Sequence, residues 1–402
     1  MRPRLRTSLV RLWRDRHTLQ LGLDPARAFL LAGLDPALAR VVAQLDGTRT
    51  PDELYTLASR LGIVPGRTRA LLDLLAGQGA LEDADAGPPH RPARGDRLAP
   101  DRASAALLRR PPDGGGGLFA RRAAATVAVR GAGRVGAAVA TLLAAAGVGT
   151  VEVTDQRAFT RADAGPAGGA WDGVRKRRET AAREALRRVE PDIRLTLPAG
   201  RRGPDAAVIA PEGRPEPALA ARLMAHGTAH LYADVRETTG IVGPFVLPGR
   251  AACGRCLDLH RRDRDPAWPR LLTQLAAPPG PPPGRACDGV LATAVAARAA
   301  LQVLMHLDGD TPTATDTTFH IALPDGTSRR RTWLPHRECD CGAFAYHTRD
   351  AAGTALPPSR AHSPVWQGGT SPTMESVIER NERSETTGAV REGDTTRRRG
   401  AA

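Results

Sequence analysis

Two patterns in this chain have residue types and spacing suited to chemistry. The apolar run Thr126-Val127-Ala128-Val129-Arg130 leads into Gly131-Ala132-Gly133-Arg134-Val135-Gly136, and an Ala-rich segment follows. A Gly-x-Gly-x-x-Gly turn between strand and helix allows a tight bend, close approach of a phosphate, and helix–strand packing. An anion there would sit on the free N–H groups of the helix N-terminus. The next strand, Val151 to Thr154, ends at Asp155. That carboxylate lies roughly 20 residues past the turn, where it can accept hydrogen bonds from ribose hydroxyls. Gly131, Gly133, Gly136 and Asp155 therefore read as nucleotide-binding residues. The competing reading is a doubly wound domain that has lost its ligand.

The second pattern is Cys253-x-x-Cys256 with Cys339-x-Cys341. Four thiolates at tetrahedral corners suit a structural zinc, which would tie the C-terminal segment to the domain. The Cys-x-Cys gap is tighter than usual, and four free thiols are the alternative. His336 is either a substitute ligand or a surface histidine. Cys287 precedes a helix expected at Val290 to His306, whose N-terminus would stabilise a thiolate. That would suit a nucleophile, but no base is identifiable beside it, so an inert cysteine is the favoured reading.

These sites need a scaffold. The 402 residues suggest two folded units with linkers. Aromatics are only 3% of the chain, so the core must be Leu, Val and Ala. The formal charge of +14 raises the question of a nucleic-acid partner. The arginines, however, are scattered, and no basic stretch is interleaved with stacking aromatics. No apolar window of about 18 residues is evident, which argues against a membrane span. The basic N-terminus lacks an apolar core like that of a signal peptide, so a cytoplasmic protein is expected. In that compartment cysteines are metal ligands or free thiols rather than disulfides.

Residues 1–86 are expected to form the first unit. His17 to Leu23 alternates as a half-buried strand does. Asp35-Pro36 opens one helix, and Thr50-Pro51-Asp52-Glu53 opens another with a capping box. A third helix runs through Thr68, Leu71, Leu72 and Leu75, and a short strand follows at Gly77 to Glu82. This order predicts a winged-helix-like α+β module, with a plain helical bundle as the alternative. Residues 87–122, rich in Pro and Gly, read as a linker. Residues 123–345 alternate strand and helix signals, predicting an α/β Rossmann-like domain with a parallel sheet. Residues 346–402 read as a disordered tail.

The segment 123–345 resembles the ThiF/MoeB family of adenylyltransferases that activate ubiquitin-like proteins. The likeness rests on the glycine turn, on Ala146-Gly147-Val148-Gly149 and on Val153-Thr154-Asp155. It continues through Val174 to Leu186, Val246-Leu247-Pro248-Gly249, both cysteine pairs, and Cys287-Asp288-Gly289-Val290. The resemblance implies adenylation of a protein C-terminus with MgATP, and a tendency to form a homodimer. Several positions depart from the family pattern. Arg157 replaces a second aspartate. Ala162 to Pro166 replaces a phosphate-binding stretch, with Asp163 where an Asn is expected. Arg178 falls at the catalytic lysine, and the metal-binding aspartate falls near Glu212. Arg178 could still neutralise phosphate, whereas Asp163 would place a like charge beside it.

The N-terminal unit resembles PqqD-like peptide-recognition domains, on the Thr18 to Leu23 strand, Asp46-Gly47-Thr48-Arg49-Thr50 and the helix from Pro51. That resemblance implies a peptide or small protein substrate. The peptide would add as an edge strand, here expected against His17 to Leu23, with an azoline-forming YcaO-type enzyme as partner. The combination predicts a ThiF-like protein that recognises a polypeptide with adenylation residual or lost. The alternative is an active adenylyltransferase. A nicotinamide-dependent oxidoreductase is disfavoured by the cysteine pairs.

Overall fold

The computed structural model describes residues 1–25, 27–85, 97–109, 116–166, 175–210, 217–276 and 286–352. The chain divides into two compact units between Gly117 and Leu118. Each is considered separately.

In the first unit, β1 (Pro3–Leu5) pairs antiparallel with β5 (Leu81–Asp83), setting Leu5 opposite Leu81. β2 (Arg11–Trp13), β3 (Leu19–Leu21) and β4 (Phe29–Leu31) form an antiparallel sheet in that order. Helices α1 (Pro36–Ala43), α2 (Pro51–Arg60) and α3 (Pro65–Gly77) lie between β4 and β5 in sequence. The caps are those the sequence predicts. Asp35 Oδ1 accepts from Leu38 N at 2.8 Å, and Thr50 and Glu53 exchange the reciprocal bonds of a capping box. The core is mostly leucine: Leu5, Leu19, Leu21, Leu38, Leu54 and Leu71 are buried together.

One expectation fails. The strand within His17–Leu23 is central, bonded by β2 on one side and β4 on the other. It therefore has no edge to offer, and the outer strands are β2 and β4. The stretch expected as a linker also holds structure, for Ala99–Arg109 (α4) and Gly116–Ala124 (α5) are helical. Clusters of small and charged residues hide their amphipathic spacing behind the flanking Pro and Gly.

The second unit is built on a seven-stranded sheet. Its strands are β6 (Thr126–Arg130), β7 (Thr150–Thr154), β8 (Ala206–Ile209), β9 (Ala229–Arg236), β10 (Thr239–Val246), β11 (Thr317–Ala322) and β12 (Ser328–Thr332). The order is β12-β11-β10-β9-β8-β6-β7. The half from β9 to β7 is parallel, as expected, while β9 to β12 form antiparallel pairs. A two-residue turn joins β9 to β10, too short for the crossover that a parallel pair requires.

The other helices of this unit are α6 (Arg134–Ala145), α7 (Arg178–Val189), α8 (Pro217–Ala225), α9 (Gly254–Arg264), α10 (Trp268–Ala276), α11 (Gly289–Leu307) and α12 (Ala343–Ala352). The last lies where the tail was expected to have begun; residues 353–402 fall outside the described residues. α11 is long and apolar enough to cross a membrane, which the sequence reading had not recognised. It is the core helix of this unit. Val295, Ala296, Ala299 and Val303 are fully buried. A Cβ at Gly240 of β10 would run into the Val295 side chain, so glycine there lets the helix lie against the sheet.

Candidate functional site

β6 has β7 on one side and β8 on the other, both reached by crossovers. Its C-terminal end is therefore the point where the winding of the sheet reverses, the place where doubly wound folds bind ligands. The glycine turn stands there. Gly131 adopts φ of 98°, a conformation side chains rarely tolerate. A Cβ at Gly136 would collide with the Gly131 carbonyl oxygen, which explains why the spacing ends in glycine. Gly133 is the N-cap of α6, so the first N–H groups of that helix open at the end of β6.

The charged residues around this turn are engaged with one another. Asp155 is 7% exposed. Its Oδ2 accepts from Ala132 N at 2.9 Å and from Arg157 Nη2 at 2.8 Å. Its Oδ1 accepts from Arg157 Nε at 2.9 Å and from Arg157 N at 3.1 Å. Burial opposes ionisation of Asp155, but Arg157 and the Ala132 N–H outweigh it and hold the carboxyl below its ordinary value. The aspartate expected to receive ribose thus has both oxygens engaged by Arg157 and the Ala132 N–H.

Asp163 and Arg178 form a second pair. Asp163 lies in a short 3-10 turn, where its Oδ2 accepts from Thr160 N at 2.7 Å and Thr160 Oγ1 at 2.8 Å. Its Oδ1 accepts from Arg178 Nη2 at 2.5 Å. Arg178 Nη1 also lies 3.8 Å from Asp155 Oδ2, so the two pairs form one network of two carboxylates and two guanidiniums. The sequence suggested a repulsive Asp163. The structure shows it as the counter-charge of Arg178, both nearly buried. Lys176, the chain's single lysine, precedes α7 and bonds Glu184 at 2.7 and 2.8 Å. Glu212 lies outside the described residues.

Arg134 connects the glycine turn to its surroundings, a role the sequence did not signal. It donates from Nε to the Ala162 carbonyl at 2.5 Å and from Nη1 to the Cys287 carbonyl at 2.6 Å. Cys287 is half-buried beside the core of this unit, and Asp288 caps α11 by accepting from Leu291 N at 2.8 Å.

The four cysteines converge. Cys253 caps α9 and Cys256 sits in its first turn, while Cys339 and Cys341 come from the loop before α12. The Sγ separations are 3.8 Å for Cys253–Cys256 and 3.6 Å for both Cys253–Cys339 and Cys256–Cys341. Metal–sulfur bonds of about 2.3 Å at tetrahedral angles place sulfurs roughly 3.8 Å apart, so this donor set fits such an ion. Burial pushes the Cys339 thiol up to about 12, so a bound cation would displace protons. His336 is not a fifth candidate on this ion, nor is it a surface residue. It is 4% exposed. Its Nδ1 accepts from Glu338 N at 3.1 Å, leaving Nε2 to donate to Asp263 Oδ2 at 2.7 Å.

A buried ion pair that loses one member leaves an uncompensated charge. Arg178→Ala is therefore expected to destabilise the second unit by about 3–5 kcal/mol in chemical denaturation. A change near zero would show that the pair is not buried as described.

Residues 115–209 match the ThiF family. No curated protein matches the chain by sequence. Among solved structures, E. coli MccB with AMPCPP and MccA aligns with a TM-score of 0.64 at 12% identity, covering 85% of this chain and 100% of that one. E. coli MccB with ATP gives 0.63 at 12% identity, over 85% and 99%. PaaA gives 0.60 at 15% identity, over 81% and 98%. Residues 115–209 thus match the ThiF family, in a chain that shares the fold of MccB and PaaA.

Proposed function

We propose that this chain recognises a polypeptide destined for modification and has lost most or all capacity for adenylation. The observation that carries the loss is the network Arg157–Asp155–Arg178–Asp163. Adenylation joins a carboxylate to the α-phosphate of ATP and expels pyrophosphate. The protein's contribution is to stabilise the developing negative charge. Here both guanidiniums at the mouth of the glycine turn are already paired, and the ribose acid has its acceptors filled. The residues present do not fit a magnesium-bound triphosphate. The glycine turn could still cradle a phosphate, but such contacts favour ground state and transition state alike and give affinity without rate. That intact turn is what favours the second reading, an active adenylyltransferase of a small carrier protein.

The polypeptide is assigned to the first unit, whose resemblance to PqqD-like domains includes the strand-and-capped-helix arrangement described above. The relative MccB has been solved in complex with N-formylated MccA. With β3 enclosed, the strand to which a peptide would add is β4 (Phe29–Leu31). Beside it a cavity of about 220 Å³ is lined by Leu9, Val10, Leu23, Phe29 and Gln78, with room for one apolar side chain. A YcaO-type enzyme is the partner proposed to act on the bound polypeptide.

The four-cysteine cluster is proposed to hold zinc as a structural ion, through Cys253, Cys256, Cys339 and Cys341. Its role is to bind the loop before α12 to α9 and so complete the second unit. Purified protein should carry about one zinc per chain by atomic absorption. Cys256→Ser should release it and lower thermal stability, and acid should do the same as thiolates regain protons. Metal-free protein of unchanged stability would end this assignment.

Selection from a displayed library of random peptides should yield binders to the full chain. Phe29→Asp should abolish that binding while circular dichroism stays unchanged. The same wild-type protein should show pyrophosphate exchange at background level with those peptides. Robust exchange by the wild type would establish the second reading instead, and binders indifferent to Phe29→Asp would remove the peptide from β4.

A further inference from the structure

One edge of the large sheet is a strand of consecutive arginines. β12 reads Ser328-Arg329-Arg330-Arg331-Thr332 and pairs only with β11 among the described residues. Charged side chains on an edge strand ordinarily serve to prevent self-association. That role requires charge on the edge alone, and here the charge continues inward across one face. Arg331 stacks on Trp333 at 4.0 Å from the ring centroid, and Arg261 and Arg264 of α9 lie over the same ring at 5.5 and 5.7 Å. Trp333 Nε1 donates to Thr318 Oγ1 at 2.9 Å, and that hydroxyl contacts His320 Nε2 at 3.1 Å. The register sets Arg329 opposite His320, so both share this face.

The positive groups here are incompletely balanced. Arg261 keeps Asp258 at 3.3 Å and Arg236 keeps Asp234 at 3.6 Å. Arg264, Arg329, Arg330 and Arg331 form no ion pair among the described residues. His320 is held below its ordinary value by burial first and then by Arg261 and Arg236, a sign of the positive potential over this face.

We propose that β12 and its arginine-lined face bind an acidic polypeptide as an added strand. The unpaired ladder of β12 supplies main-chain hydrogen bonds, and Arg329, Arg331, Arg264 and His320 meet carboxylates on alternate residues of the guest. Nucleic acid fits less well. Trp333 is 2% exposed and covered by guanidiniums, so no base can stack on it, and Trp268, the second ring here, already has Arg261 5.1 Å over its face. This surface lies in the second unit and is independent of the peptide reading for β4.

The probe is a fluorescein-labelled peptide of alternating Glu and Val, titrated into the full chain and followed by anisotropy. It should bind, and Arg329→Glu should weaken it roughly tenfold or more, about 1.4 kcal/mol. Arg329 does not pack on Trp333, so the variant should fold, as its unchanged thermal transition would verify. Binding should also be lost when alternate peptide nitrogens are methylated, since the ladder then lacks donors. Phe29→Asp should leave it intact. Absence of binding, indifference to the charge reversal, survival of N-methylation, or tighter binding of oligo(dT) through the same arginines would each overturn the proposal.

Discussion

A guanidinium removed from water must face a carboxylate, and at the centre of this fold Arg178 faces Asp163. The ThiF-family resemblance implies a lysine and a neutral amide at these two positions. Each change alone would be costly, because an unpaired buried charge is poorly tolerated. Together they cancel, and the surrounding structure follows from that cancellation. Asp163 is fixed by Thr160 in its turn. The start of α7 is tied to Arg157 through the bond from Arg178 N to the Arg157 carbonyl at 2.8 Å. Arg157 then folds back onto Asp155. The glycine turn is left with its shape but with counter-charges already in place.

Much of this was legible in the chain before any coordinates. Periodicity and spacing identified β6, the glycine turn and β7, because the collision between a Cβ at Gly136 and the Gly131 carbonyl permits only glycine there. The capping box at Thr50 and Glu53 was equally readable, being a local interaction of a few residues. The cysteine cluster could be read because few other arrangements bring two close pairs together in a domain of this kind.

What the sequence hid depends on contacts between distant residues. Asp163 and Arg178 are 15 residues apart, and their mutual neutralisation is invisible when each is compared singly with a family pattern. The place of β3 within its sheet also eluded the alternation rule. That rule tells which face of a strand is buried but not how many neighbours it has. Arg134 bonds across 153 residues to the Cys287 carbonyl, and an arginine between glycines gives no sign of such a reach. The antiparallel half of the large sheet follows from the short β9–β10 turn, whose residues look unremarkable beside the stronger parallel signals.

The central claim is that internal ion pairing has displaced nucleotide from this site, and it is tested most directly by restoring the charges. Isothermal titration calorimetry of MgATP into the wild type and into the Arg157→Asp, Asp163→Asn, Arg178→Lys triple variant compares the two states of the site. The account predicts weak or undetectable binding for the wild type and much tighter, saturable binding for the folded variant. Saturable MgATP binding by the wild type, unimproved or abolished in the variant, would contradict it.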